Sequence, residues 1–424
     1  MKIRSYIVLA FVVGGCFTRL QAQEAIRMSL ASAEAAEARR KAASTIGYYN
    51  LKLGPTAWRF GASLGLEYND NVVLTEDDKE GDLIFRPQVN AQLLWPITEK
   101  NAINLNVGAG YSVYVEHPEL SRIYITPGSE LSFDLYAGDA WINLHDRFSI
   151  TQDSYQDPTV TGNGNYSRLE NALGVAVTWD LNKIILRGGY DHVDYVGLSG
   201  NGSQPDGRSE LVSSSLGYSL MPGMYAGVEL GGGLLHYTGT NVVFSEAKQW
   251  NAGVFFESQL SQYMHFRGSV GYTVYSPENG RFTNAVPGST NSVSGSVEDF
   301  TGVYAQIDLR HRLNEYVAYT LTGGRSISFA FYGGSVDLTY AHLLANWKIV
   351  RKVGINTSLD YEHGTQGSFF GETFDRYGAS INFSRAITKK ASGSLGYQFY
   401  WRTSDLIGRD YTANIISLNF NYTF

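Results

Sequence analysis

The chain has 424 residues, a formal net charge of −7, a mean hydropathy of −0.18 and a single cysteine. The acidic balance excludes the basic surface that nucleic-acid binding requires, and one cysteine excludes a disulfide framework. No apolar run beyond the first residues reaches the roughly 18 residues of a membrane-spanning helix. Aromatic residues make up 13% of the chain, which is typical of proteins with aromatic girdles at membrane interfaces.

Residues 1–22 have the pattern of a secretory signal peptide. Two basic residues precede a short apolar run, and Leu20-Gln21-Ala22 is typical of a cleavage site before Gln23. The sequence leaves a second interpretation open. Val13-Gly14-Gly15-Cys16 also has the form of a lipoprotein box, in which Cys16 would carry a lipid anchor.

Residues 23–56 precede the first strand pattern and form a separate N-terminal segment. Within it, residues 24–46 are rich in Ala, Glu and Arg and predict one helix with a weak apolar side. We expect this helical segment to lie in the periplasm or to plug the lumen of a membrane barrel formed by the rest of the chain. It either docks another component or is a loosely attached leader.

From residue 57 to residue 424, apolar and polar residues alternate with period two, which predicts strands with one apolar and one polar face. In the first strand, 58–68, the even positions are apolar. We count eighteen such strands, with sixteen as the fallback. They are predicted at 58–68, 83–95, 102–115, 129–137, 140–151, 168–179, 183–195, 209–220, 224–237, 248–260, 263–275, 299–311, 315–327, 335–348, 352–363, 374–387, 391–402 and 410–424.

The connections between these strands alternate in length. They are tight after even-numbered strands, as at 98–101 and 221–223, and long and polar after odd-numbered strands, as at 70–82 and 152–167. Alternating short and long connections are typical of a transmembrane antiparallel up-and-down β-barrel with short periplasmic turns and long extracellular loops. We therefore predict an all-β barrel in the bacterial outer membrane, embedded in its lipid.

The last eight residues strengthen this prediction. Leu418, Phe420, Tyr422 and Phe424 are the apolar members of an unbroken alternation that stops on an aromatic residue. This ending resembles the C-terminal segment by which the barrel assembly machinery recognises outer-membrane barrels. The sequence thus predicts that machinery as a partner.

Charged residues fall on the polar side of the predicted strands. An Arg that faces lipid at mid-bilayer costs about 2–4 kcal/mol, so these groups are expected to line a wet interior. Such an interior would suit polar solutes or a polysaccharide; alternatively, the charges pair with each other and only hold the barrel's shape. The predicted lining residues are Arg59, Glu67, Arg86, Arg147, Glu170, Arg187, Asp191, Glu229, Glu257, Arg267, Asp308, Arg310, Asp360, Arg376 and Arg402.

No catalytic, metal or cofactor site is predicted. Asp191 and His192 could be drawn as an acid/base pair, but neighbouring residues of a strand point to opposite faces. The acidic stretch 76–82 could offer oxygen ligands to Ca²⁺, yet it lacks the spacing of an EF-hand and is better interpreted as a solvated loop. We therefore expect a protein that is not an enzyme.

Four short segments together resemble one family. Leu66-Glu67-Tyr68-Asn69-Asp70-Asn71-Val72, Asp146-Arg147-Phe148-Ser149, Trp179-Asp180-Leu181-Asn182 and Gly189-Tyr190-Asp191-His192 resemble segments of the putative β-barrel porin 2 family. Its members are bacterial outer-membrane barrels of an exopolysaccharide- and exosortase-associated type. One residue departs from the alternation: Asp146 would face lipid, so we expect a bulge or a rim position there.

The resemblance implies two functions. The first is a porin-like channel through which small polar solutes, including saccharides, pass passively. The second is an outer-membrane partner or scaffold of an exopolysaccharide export system, to which the 24–46 helix would dock a periplasmic protein.

Overall fold

The computed structural model describes residues 49–162, 164, 166–198, 206–238, 246–278, 281–285, 292–296, 300–329, 335–350, 352–366 and 371–424. The predicted signal peptide, Cys16 and the predicted 24–46 helix lie outside these residues. The described strands are β1 Leu51–Leu53, β2 Thr56–Asn69, β3 Asp82–Pro96, β4 Ala102–Tyr114, β5 Arg122–Ala137, β6 Ala140–Thr151, β7 Arg168–Asp180, β8 Ile184–Gly197, β9 Asp206–Met221, β10 Met224–Thr238, β11 Glu246–Ser261, β12 Met264–Glu278, β13 Arg281–Ala285, β14 Ser292–Ser296, β15 Phe300–Arg312, β16 Val317–Phe329, β17 Ser335–Val350, β18 Val353–Gln366, β19 Thr373–Ala386, β20 Ala391–Ser404 and β21 Tyr411–Thr423.

Eighteen of these strands close into one antiparallel barrel, so the predicted fold and strand count are confirmed. Each barrel strand pairs with its neighbours in the chain, and β2 closes the ring by pairing with both β3 and β21. The alternating apolar faces drive this closure, because a rolled sheet turns every apolar face to lipid and leaves no open edge.

The alternation of the last strand is a clear example of this sorting. Leu418, Phe420, Tyr422 and Phe424 are all exposed on the outer face, whereas the alternate residues Ser417, Asn419 and Asn421 are half-buried. The apolar residues of the predicted assembly segment therefore lie side by side where lipid would contact them.

At the closing seam, where β2 pairs with β21, the barrel has an additional strand that the alternation did not predict. Strand β1 pairs with the first residues of β2 on the same edge as β21 does. Between β1 and the C-terminus, the Asn50 side chain bonds both backbone groups of Phe60: its Nδ2 donates to the carbonyl at 2.8 Å, and its Oδ1 accepts from the amide at 3.1 Å. Phe424 N also donates to the Phe60 carbonyl. The Asn50 side-chain amide thus makes the two hydrogen bonds to Phe60 that the backbone of a residue in a paired strand would make.

One strand boundary was predicted wrongly. The strand predicted at 129–137 is β5, and it begins at Arg122. Register shifts interrupt the pairing between Ile125 and Ser129, beside Pro127 and Gly128. Because a register shift breaks the period of two, the alternation did not predict the residues before the shift as part of the strand. The short hairpin of β13 and β14, within the predicted long connection before β15, was also missed.

The expectation for Asp146 was wrong as well. On β6, Asn143, His145 and Arg147 are buried, and Asp146 lies on the opposite, outward face. Its register partners are Leu131 on β5 and Leu173 on β7, with no register shift at this point. The pairing of both neighbours continues without interruption, so neither a bulge nor a rim position takes this carboxylate off the outer face.

Candidate functional site in the barrel interior

Ion pairs that skip strands show which side chains point into the barrel. Arg187 on β8 donates to Glu257 on β11 at 3.1 Å, although β9 and β10 lie between these strands. Arg267 on β12 donates to Glu257 at 3.3 Å and to Glu229 on β10 at 3.0 Å. Side chains of separated strands can meet like this only on the concave side of the wall. The predicted lining residues of this sector therefore form one interior network.

Glycines give this network its room. Tyr304 on β15 donates its hydroxyl proton to Glu229 at 2.8 Å, and its ring passes over β12 and β11 on the way. A Cβ at Gly253 would lie 2.1 Å from the Tyr304 hydroxyl, and one at Gly271 would lie 2.4 Å from the ring. Only residues without a side chain permit this approach. The two glycines thus decide where Tyr304 lies.

A second network occupies the wall around β6. His145 Nε2 lies 2.7 Å from Asp191 Oδ1 on β8, and both side chains are fully buried. The pair crosses β7 above Gly174, where a Cβ would lie 2.4 Å from the Asp191 carboxylate. The other predicted lining residues of this wall are also held: Arg147 bonds Glu130, and Glu170 bonds Arg168.

The remaining predicted residues are distributed around the interior. Asp308 pairs with Arg310 at 3.0 Å, and Asp360 lies 2.9 Å from His342. Arg59 is half-buried near the start of β2. Arg86 and Glu67 pair at 3.2 Å. These pairings could not be predicted, because alternation assigns a face but not a partner.

The connection between β6 and β7 lies inside the barrel in its described residues, 152–162, 164, 166 and 167, which we call the inner loop. Thr159 and Val160 are fully buried, and Tyr155 nearly so. Its first part is bound from β3, where Arg86 donates to Asp153 at 2.6 Å. A long polar connection was predicted here as an extracellular loop; its inward course was not predicted.

Three arginines between β19 and the start of β21, which do not neighbour β6 or β7, bind the inner loop. Arg376 on β19 donates to the Tyr155 carbonyl at 2.6 Å, and Arg402 on β20 donates to the Pro158 carbonyl at 3.1 Å. Arg409, in the turn before β21, donates to the Thr159 carbonyl at 3.3 Å. We call Arg376, Arg402 and Arg409 the arginine latch.

Carboxylates keep the latch in place. Glu362 accepts from Arg376 at 2.7 Å, and Glu372 accepts from Arg402 at 2.6 Å and pairs with Arg409 at 2.9 Å. Both glutamates and Arg402 are almost completely buried. A buried cation is tolerated only with such partners. Asp153, Glu372 and Arg409 were missed in the sequence because they lie outside the alternating segments.

Apolar contacts complete the packing around the inner loop. Tyr155 packs against Tyr411, Ala413 and Ile415 on the inward face of β21, together with Leu74 of the 70–81 loop. The Gly162 amide donates to the Leu74 carbonyl at 3.0 Å. The 70–81 loop and the inner loop therefore close over the same part of the interior.

Burial along the strands locates the narrow part of the barrel. Near the extracellular ends, the inward residues Arg402, Tyr275, Leu211 and Leu338 have no exposed surface. Near the periplasmic ends, inward residues are partly exposed, and the Arg310 side chain is 55% exposed. The interior is therefore packed in its extracellular half and open in its periplasmic half.

At the extracellular mouth, His117 connects two loops. Its Nε2 lies 2.9 Å from Glu80, and its Nδ1 lies 3.0 Å from Asp82. Burial lowers the pKa of His117, but the hydrogen bonds and negative charges of Asp82 and Glu80 outweigh it and raise the pKa above the ordinary 6.5. The protonated form thus ties the 115–121 connection to the 70–81 loop.

We expect this tie to weaken as the pH rises. Because the pKa of His117 is raised in the folded loop, the stabilisation is complete below the ordinary pKa and is lost as the pH passes the raised value. Hydrogen exchange of residues 70–81, measured over this range, should increase more in the native protein than in His117→Gln. An equal pH response in both proteins would contradict the role of His117.

Two further findings concern the described part of the chain. Among the described residues, no group of three or more His, Cys, Asp or Glu side chains is arranged to hold a metal ion. None of the helices in the described ranges is long and apolar enough to cross a membrane.

Comparison with known proteins gives a family and structural relatives. Residues 58–424 match the family described as putative beta-barrel porin 2. No curated protein matches the sequence. Among solved structures, OpdK from Pseudomonas aeruginosa is 9% identical, with a TM-score of 0.46 and coverage of 87% of this chain and 99% of that chain. OccAB2 from Acinetobacter baumannii is 11% identical, with a TM-score of 0.45 and coverage of 87% and 98%.

Proposed function

Because the chain belongs to the putative β-barrel porin 2 family, we propose that it is a channel for the passive passage of small polar solutes, saccharides among them. The chain is a porin-like barrel of the outer membrane. The passage of solutes and their identity are the proposal. The observation that carries it is the lining: charged side chains such as Arg187 and Glu257 point inward near the periplasmic ends of β8 and β11, where the interior is open.

The inner loop supports a selective rather than a wide path. It extends from β6 into the interior and is bound by Arg86 on β3 and by the arginine latch on β19 to β21, strands that lie close together around the closing seam. A solute would pass between this loop and the sector of β8 to β15 that carries the Glu229–Arg267–Glu257 network. Fixed charges of both signs and the Tyr304 hydroxyl offer hydrogen bonds to polar groups there.

The direct test is electrical. Purified protein inserted into planar lipid bilayers should conduct ions in discrete, stable steps. Steps that shrink when a neutral sugar is added would indicate that the sugar enters the same path. A barrel that is folded, as judged by heat-modifiable gel mobility, and yet never conducts would contradict a passive channel.

The latch gives a sharper prediction. A hydrogen bond to a charged group contributes about 1.5–3 kcal/mol, so losing the Arg402 contacts should shift the loop towards release by roughly tenfold or more. We expect Arg402→Ala to raise the mean conductance and to make it fluctuate. Arg310→Ala is the matched control, because Arg310 also pairs with an interior carboxylate but lies near the periplasmic end. Equal conductance of Arg402→Ala and the native protein would contradict the latch.

The packed extracellular half favours one second candidate. If the inner loop and the 70–81 loop stay closed without a partner, the barrel would act as the outer-membrane component of an exopolysaccharide export system and open only when assembled. Silent native barrels that conduct once Arg402 is replaced would favour this function over a passive channel.

A further inference from the structure

The outward carboxylate of Asp146 lies deep in the apolar band. It is six residues above Ala140, the periplasmic start of β6. Six residues above the same end of β10, β12 and β18, the outward residues are Leu230, Val270 and Leu359. A tilted strand climbs roughly 2.5 Å per residue along the barrel axis. Asp146 is therefore surrounded by positions at which other strands present apolar side chains to lipid.

Other outward charges lie closer to the extracellular side. His363 is ten residues above Val353 on β18, and Asp375 is eleven residues above Ala386 on β19. Asp146 lies at least four residues lower, on the order of 10 Å.

A lower-lying outward charge elsewhere has a partner of opposite sign. Arg325 is eight residues above Val317 on β16, and it forms a two-pronged ion pair with Asp337 at 3.0 and 2.7 Å. Asp146, in contrast, is bonded by a neutral amide: Asn171 Nδ2 donates to it at 2.6 Å. Within the described residues, no cation pairs with this carboxylate.

Polar groups on the next strands extend this feature into a patch. On the outer face of β8, His192 Nδ1 lies 2.8 Å from Glu210 on β9, and the Tyr190 hydroxyl donates to the same carboxylate at 2.6 Å. Asp146, Asn171, Tyr190, His192 and Glu210 form what we call the outer patch. A lone barrel would expose Asp146, the lowest charge of the patch, to lipid, where a carboxylate is not solvated.

We propose that the outer patch is the contact between two copies of this chain, related by a twofold axis that passes Leu173 on the outer face of β7. A twofold axis parallel to the membrane normal keeps every residue at its own level and places β6 of one copy opposite β8 of the other. Asp146 then lies opposite His192 of the partner subunit, and the contact occurs twice.

The levels of the two residues agree with this arrangement. His192 is eight residues above Ile184, the start of β8, so it lies two residues higher than Asp146, a difference of roughly 5 Å. Two side chains can bridge that difference. Within its own chain, His192 lies 2.8 Å from Glu210 and 3.4 Å from Asp194, and it is the one group of the outer patch that can offer a positive charge to Asp146 of the other copy. The phosphate of a lipid headgroup would instead repel Asp146. On β7 itself, the outward Leu173 is 56% exposed and would lie at the axis.

Cysteine cross-linking tests the axis. Leu173→Cys should form covalent dimers efficiently when native outer membranes are oxidised. Leu359→Cys is the matched control: Leu359 is also 56% exposed, lies at a similar level and stands on β18, nine strands from β7 in either direction. Cys16 adds no free thiol to either variant, because it is removed with the predicted signal peptide or, in the alternative interpretation, carries the lipid anchor. Equal cross-linking at both positions, or none at Leu173→Cys, would overturn the proposal.

The mass of the complex in mild detergent is the second measurement. The native protein should have the mass of two chains. Asp146→Leu should have the mass of one chain while keeping its heat-modifiable fold, because the new side chain suits lipid. A native mass of one chain, of three chains or of a mixed complex would refute the twofold contact, as would a dimer that survives Asp146→Leu. Conductance is not involved, so this test is independent of the proposed channel.

Discussion

Replacing Leu64 by Arg is expected to destabilise the barrel by about 2–4 kcal/mol, whereas Ser63→Arg should be nearly neutral. Leu64 is in the middle of β2 and exposed on the outer face. Ser63, one residue earlier, points into the interior, where water can solvate a guanidinium group. The two variants introduce the same side chain into the same strand at almost the same level, so they differ only in the face that receives it.

Denaturant titration of the folded barrel in lipid vesicles measures the difference. The unfolding midpoint of Leu64→Arg should fall well below that of the native protein, and that of Ser63→Arg should stay close to it. Similar midpoints for the two variants would show that the faces of β2 are assigned wrongly. The pair Leu395→Arg and Ser394→Arg on β20 repeats the comparison on a strand on the other side of the seam.

Deleting Phe424 is expected to reduce barrel assembly in cells strongly. Phe424 is exposed on the outer face, packs its ring edge-on against Tyr422 at 5.5 Å and donates its amide to the Phe60 carbonyl. It is therefore the last apolar residue of the segment that we expect the assembly machinery to bind, and it also lies at the closing seam. The fraction of heat-modifiable protein in outer-membrane preparations measures assembly.

Two controls separate recognition from stability. Thr423→Ala changes the neighbouring residue, which is not part of the apolar series, and should assemble normally. The Phe424 deletion variant should refold from denaturant into detergent micelles almost as well as the native protein, because most of the pairing of β21 with β2 and β20 remains. Unchanged assembly in cells would rule out Phe424 as part of the signal.

The channel and the dimer depend on different faces of the same wall. Arg402→Ala acts on the interior and should alter conductance, while Asp146→Leu acts on the outer face and should alter the mass of the complex. The barrel is a rigid sheet with alternating sides, so each substitution is expected to leave the other property unchanged. This separation lets each proposal fail without affecting the other.

The period-two pattern determined most of the architecture. Leu64, Leu395 and Phe420 were placed on the outer face by alternation alone, because a strand offers only two faces and a membrane accepts charges on one of them. For the same reason the alternation predicted eighteen strands and their order. The strand at 129–137 was too short because the register shift near Ser129 breaks the very period on which the prediction depends.

Only the tertiary structure decided the contacts between residues that are far apart in the chain. The Arg376–Tyr155 contact joins residues 221 positions apart, and the inner loop has no periodicity that could predict its course. The partners of Asp191 and Glu229 depend on glycines on the strands between, such as Gly174 and Gly253. Alternation is a local property of one strand, so it identifies the face that each side chain occupies. The curvature of the closed barrel decides which of those side chains meet, and that curvature arises only when all the strands have paired.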